Sequence, residues 1–146
     1  SITPRPSPEP TPIPLIRPVS GAVLRSFSPM QPIYQATLDA WAAHMGVDLA
    51  ADPGQAVVAP ADGQIVSVGK SALHGLTLEI RHSDGLVCRM MGLQSVSVSE
   101  GTAVRAGQTV ATAGGAHPSE AMDKPHLHVE LWRDGKAVDP LSLFAQ

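Results

Sequence analysis

From Gln55 onward the chain alternates short apolar runs with turns built on glycine. Gln55–Ala59 and Gly63–Gly69 read as strands joined by the turn Pro60-Ala61-Asp62-Gly63. Leu76–His82 alternates apolar and polar positions and runs into Ser83-Asp84-Gly85, a strong hairpin signal, with Leu86–Met91 as the return strand. Ser95–Val98 and Thr109–Ala113 flank the turns Ser99-Glu100-Gly101 and Arg105-Ala106-Gly107. His126–Trp132 predicts the last long strand, which Arg133-Asp134-Gly135-Lys136 turns toward Val138, and Asp139-Pro140-Leu141 begins a closing turn. Many short strands at this spacing predict an all-β fold, a small sandwich or barrel. Upstream, the run TLDAWAA predicts one short helix near 37–43, capped at or just before Thr37.

The first 18 residues follow no such pattern. They carry seven prolines, each of which removes a backbone donor and favours an extended polyproline conformation. Residues 1–18 therefore read as a Pro-rich spacer and 19–146 as one folded domain, beginning near Pro18-Val19-Ser20-Gly21. At 146 residues and 43% hydrophobic content the domain has enough apolar side chain for a packed core. With only 3% aromatics, that core must be aliphatic, which suits strands. A net charge of −3 and a pI of about 6.0 leave no basic footprint for nucleic acid. No run approaches the roughly 18 apolar residues of a membrane span. The sequence starts at Ser1, which leaves open a signal or tethering membrane segment upstream of it. The single cysteine, Cys88, lies in an apolar-alternating stretch and reads as a small buried hydrophobe rather than a nucleophile.

Six histidines are present: His44, His74, His82, His117, His126 and His128. Two arrangements stand out. In His126-Leu127-His128, on a strand, both imidazoles project from one face while Leu127 takes the other. In His44-Met45-Gly46-Val47-Asp48 a histidine and a carboxylate lie four residues apart. A helix would stack them, but Gly46 and the strand-like Val47-Asp48-Leu49 indicate a turn entering a strand. Two imidazoles and one carboxylate form a common zinc-binding set that leaves one position open. Each motif by itself is weak evidence. In this order, in a small β-rich chain, they reinforce one another.

The chain resembles the M23 family, the lysostaphin/LytM-type zinc endopeptidases that cut peptide bridges in bacterial cell walls. The resemblance runs through His44-Met45-Gly46-Val47-Asp48-Leu49-Ala50, Ala59-Pro60-Ala61-Asp62-Gly63-Gln64-Ile65-Val66 and Leu78-Glu79-Ile80-Arg81-His82. It continues in Val98-Ser99-Glu100-Gly101, Val104-Arg105-Ala106-Gly107-Gln108, Pro125-His126-Leu127-His128-Val129-Glu130 and Val138-Asp139-Pro140. It implies a fold of the duplicated hybrid motif type, with zinc held by His44, Asp48 and His128. His126 would stand beside the attacking water as a general base, or as a stabiliser of the tetrahedral intermediate. A second catalytic histidine belongs to an aromatic-x-His-Leu motif that falls here on Met90-Met91-Gly92-Leu93. Gly92 stands where that histidine is expected, and loss of one such donor typically costs about 10²–10³ in rate. His117, in a loop before the last strand, is a possible auxiliary group for which a solvated loop histidine is the simpler reading. His74 reads as exposed in a turn and His82 as a structural hydrogen-bonding group. Glu130 and Asp139 are the carboxylates placed to orient His128, with a plain surface role the alternative for either.

Three functional readings follow. The first is a degenerate family member that keeps zinc, has little or no peptidase activity and works by docking. The stretch Thr37-Leu38-Asp39-Ala40-Trp41-x-x-His44-x-Gly46-x-Asp48, with Gly-Leu in place of His-Leu, resembles the sporulation branch of the family, stage II protein Q-like. That branch implies an extracytoplasmic, cell-envelope location, anchored or secreted, with a protein partner. The second is an active endopeptidase acting on cell-wall peptide through His126, with or without His117. The third is a carrier domain, because Gly101-x-x-Val104-x-Ala106-Gly107-Gln108-x-Val110 also resembles biotinyl and lipoyl carriers. Lys70 and Lys124 lack the hairpin-tip setting that a carrier lysine needs.

Overall fold

The computed structural model describes residues 15–35, 40–72, 74–114 and 125–145, with the backbone alone for 29–35 and 40–44. Among the described residues twelve strands follow in chain order: β1 (Val23–Arg25), β2 (Ser28–Gln35), β3 (Ala40–His44), β4 (Val47–Ala50), β5 (Ala56–Val58) and β6 (Gly63–Ser71), then β7 (Gly75–Arg81), β8 (Leu86–Val96), β9 (Ala103–Val104), β10 (Thr109–Ala113), β11 (His126–Arg133) and β12 (Lys136–Val138). A 3₁₀ turn follows at Pro140–Ser142. The all-β expectation holds. The helix expected near 37–43 does not: Ala40–His44 is a strand, antiparallel to β2 in a separate two-stranded sheet. Residues 37–39 lie outside the described residues; helix propensity in Ala40-Trp41-Ala42-Ala43 is a weak prior, and here the pairing with β2 overrides it. Among the described residues no helix is long and apolar enough to cross a membrane. Residues 1–14 of the expected spacer lie outside the described residues.

The other ten strands form one sheet, ordered β1-β4-β11-β8-β7-β6-β9, with β12 beside β11 and β10 bridging β8 and β5. Alternation sorts its residues into two faces. One face is the core. Val47, Val129, Met90 and Leu78 lie opposite one another across β4, β11, β8 and β7, and Leu131, Cys88, Ile80 and Ile65 form the next row. Seven of these eight side chains are 0% exposed and Ile65 is 2%. At about 25 cal/mol per Å² of apolar surface removed from water, such rows are the main source of the fold's stability. The opposite face carries Asp48, His126, His128 and Glu130, so the site is built on the back of the best-packed part of the sheet.

Two Asp-Gly hairpins behave as the sequence predicts. Asp84 and Gly85 have φ of 60° and 70°, and Asp134 and Gly135 have 50° and 82°. Two consecutive positive φ values match the right-handed twist of the flanking strands. β8 is longer than expected because Ser95 and Val96 continue it to pair with β10. At the other end of the chain, Leu15 is buried beside Phe144, donating to the Leu143 carbonyl (2.9 Å) and accepting from Ala145 (2.7 Å). The folded unit therefore takes in residues ahead of Val19.

Candidate metal and catalytic site

Register alone brings the site together. Arg25, Asp48, His128, Met91 and Thr77 lie directly opposite one another across β1, β4, β11, β8 and β7. Directly opposed residues share a face, so this row runs across the non-core side of the sheet. His126 and Glu130 flank His128 by two residues each on β11 and share its face. Gly46 lets β4 approach this closely, since a Cβ there would fall 2.3 Å from the Val129 carbonyl oxygen and 2.9 Å from Glu130 Cγ. The glycine in the His44–Asp48 motif is thus a packing requirement as well as a turn.

Asp48 is the hub. Its Oδ1 lies 2.7 Å from His128 Nδ1, and its Oδ2 lies 3.4 Å from Arg25 Nη1 and 3.8 Å from His126 Nε2. Asp48, His126 and His128 are 2%, 8% and 5% exposed, so these contacts act with little solvent screening. His128 Nε2 meets Glu130 Oε2 at 2.9 Å. Glu130 Oε1 accepts from Trp132 Nε1 at 2.8 Å and lies 3.7 Å from Arg89 Nη1, and Arg89 Nε donates to Glu79 at 2.6 Å. Burial alone would push the Glu130 carboxyl up. The hydrogen bond and charge of His128, the Trp132 donor and Arg89 together hold it below its ordinary value. Glu130 therefore remains a carboxylate that anchors Nε2.

This anchoring bears on whether the residues fit a zinc ion. A neutral imidazole has a single N–H. With Nε2–H given to Glu130, Nδ1 presents a lone pair toward Asp48 Oδ1, an arrangement that calls for a cation between them, either a proton or a metal. A ligand histidine whose other nitrogen donates to a carboxylate is the usual support of a zinc site. The donor chemistry of Asp48 and His128 therefore fits. The backbone of His44 ends β3, two residues before Gly46, and its side chain lies outside the described residues. Among the described residues no three His, Cys, Asp or Glu side chains form a group able to hold a metal ion.

Gly92 occupies a β-bulge. Thr77 pairs with Met91 and Leu76 with Leu93, so β8 spends one extra residue at Gly92, where φ is +79°. The bulge also flips the alternation, sending Leu93 into the core at 2% exposure. Across the bulge, the Gly92 N–H donates to the carbonyl of His74 at 3.2 Å. His74 lies in a turn, as expected, but is half-buried rather than exposed, with its N–H 2.8 Å from the Ser71 hydroxyl. His117 lies outside the described residues.

The remaining expectations resolve into structural roles. His82 is buried, with Nδ1 2.8 Å from the Asp62 carbonyl, and desolvation lowers its pKa despite the opposing pull of that carbonyl and the Asp62 charge. Cys88 is fully buried, and burial, with a contribution from Glu130, pushes its thiol up to about 12, so it is no nucleophile. Asp139 does not support His128. Its carboxylate accepts from the Leu141 N–H at 3.0 Å and caps the closing turn. The sequence reading missed Arg25, Arg89, Glu79 and Trp132. Alternation from His128 would have placed Trp132 on its face, but Arg25 reaches the site only through the β1–β4 pairing.

The sequence model of peptidase family M23 matches residues 42–140 of the chain. The DD-carboxypeptidase/endopeptidase Mpg of Neisseria meningitidis serogroup B is 36% identical over 106 residues, covering 73% of this chain and 24% of Mpg. Stage II sporulation protein Q of Bacillus subtilis is 34% identical over 99 residues, covering 66% of this chain and 35% of that protein. The chain thus spans about a quarter to a third of the length of these relatives. A zinc-containing peptidase from Vibrio cholerae superposes with a TM-score of 0.76 at 26% identity, covering 92% of this chain and 40% of that one.

Proposed function

This chain belongs to peptidase family M23, and we propose that it is a zinc-binding member with little or no peptidase activity that serves as a docking domain in the cell envelope, outside the cytoplasm. His44, Asp48 and His128 are the proposed ligands, and zinc bound there would supply Lewis acidity toward a carbonyl. The observation that carries the reading is the contrast between two neighbouring places on one sheet face. Asp48, His128 and Glu130 keep the hydrogen-bonded order that a metal ligand needs, while position 92 has no side chain and a backbone conformation suited to glycine. His126 is the one proposed catalytic group left to move a proton or donate to a developing oxyanion. The similarity to stage II sporulation protein Q, a protein whose solved structures include a complex with SpoIIIAH, supports a docking role with a protein partner, in sporulation or a related envelope process.

The second reading is an active endopeptidase cutting cell-wall peptide cross-bridges, using His126 alone or with His117. Similarity to Mpg, named as a carboxypeptidase and endopeptidase, favours it. One experiment separates the two. Zinc content is measured on the purified chain, which is then incubated with peptidoglycan and with glycyl- and D-alanyl-containing bridge peptides. Stoichiometric zinc with no chelator-sensitive cleavage is the expected result. Robust chelator-sensitive cleavage would establish the enzyme and sink the docking-only reading.

A further inference from the structure

Arg25 is a second cation at the proposed metal site. It is held there twice, by backbone register opposite Asp48 and by Nη1 at 3.4 Å from Asp48 Oδ2. Its side chain is only 12% exposed and that of Asp48 only 3%. A guanidinium cannot shed its proton, and a buried charge is tolerated only when paired. Of the two oxygens of Asp48, Oδ1 faces His128 Nδ1 and Oδ2 faces Arg25 and His126. A divalent ion held by Asp48 and His128 would share the Asp48 carboxylate with the guanidinium, in a buried setting that screens the repulsion little.

We propose that Arg25 is an internal counter-cation of the site, which satisfies Asp48 when no metal is bound and weakens the binding of a divalent ion when one arrives. The proposal rests on the zinc reading above. It explains how a fold can keep its ligand geometry without depending on the ion. It also makes zinc occupancy responsive to anything that moves β1, the strand at the sheet edge.

The test uses the full chain, stripped with a chelator, with zinc affinity read by competition against a chromophoric chelator. Arg25→Gln and Arg25→Met, the second of which keeps an unbranched apolar stem, should each bind zinc about 10-fold or more tighter than the wild type. Arg25→Lys, which retains the charge, should stay within about 3-fold. Without metal, the Gln and Met variants should unfold at lower denaturant than the wild type, and excess zinc should close that gap. If either neutral variant fails to fold without metal, its zinc-driven refolding supplies the affinity. Neutral variants that bind zinc no tighter than the wild type, or more weakly, overturn the proposal while leaving the metal reading intact, provided His128→Ala abolishes binding. Absence of zinc binding in all of them overturns the metal reading, and this proposal with it.

Discussion

Glu130 and His128, two residues apart on one strand, are joined side chain to side chain at 2.9 Å, and the same carboxylate is held from its other oxygen by Trp132 at 2.8 Å. The imidazole is held from both sides: Nε2 faces this carboxylate and Nδ1 faces Asp48. Glu130→Gln replaces one acceptor oxygen with an amide that can turn its NH₂ toward the ring, removing that control. Zinc affinity should fall about 10- to 100-fold, measured by chelator competition. An unchanged affinity would mean that Glu130 serves only the Arg89–Glu79–Trp132 cluster.

His126 and His128 share a face but should differ in consequence. His128→Ala should abolish stoichiometric zinc, whereas His126→Ala should leave it in place, because His126 meets the Oδ2 side of Asp48 at 3.8 Å rather than the Oδ1 side. Metal analysis of both purified variants checks this. Equal loss in the two would mean that the ligand assignment is wrong.

Position 92 invites the introduction of a histidine, and the backbone predicts its cost. A side chain at φ of +79° carries roughly 1–2 kcal/mol of local strain. Gly92→His should therefore lower stability by about that amount in denaturant titration. Any cleavage of bridge peptides it gains should be chelator-sensitive. Wild-type stability in the variant would show that the bulge relaxes to accept a side chain.

The fold should also lose stability on mild acidification through His82, a residue of the sheet's far end. Burial lowers its folded pKa below the ordinary 6.5. The unfolded chain therefore takes up the proton first as pH falls. The resulting stability is fully present above about pH 6.5 and declines below it until the folded pKa is reached. Comparing denaturant midpoints at pH 7.5 and 5.0 for the wild type and His82→Gln should show a smaller pH difference in the variant. Equal pH differences would place the acid sensitivity elsewhere.

Much of this protein is legible from its sequence, because strand alternation and Asp-Gly turns are local. His126 and His128 had to share a face once their strand was recognised, and Gly46 marked a turn, though not the close approach to Val129 that also requires it. That a histidine is expected where Gly92 stands was implied by the resemblance to the family, not by spacing. The expected helix failed because Ala40–His44 is decided by pairing with β2, which no local propensity reports. His74 was rightly placed in a turn but its exposure was misjudged, since its carbonyl meets the Gly92 N–H of a bulge on another strand. Glu130 could be nominated but not chosen over Asp139, because only the register distinguishes a carboxylate that meets an imidazole from one that caps a turn. Arg25, 23 residues from Asp48, lay beyond any sequence rule. Which charges face one another across strands is set by nonlocal register, and register exists only once the whole sheet has formed.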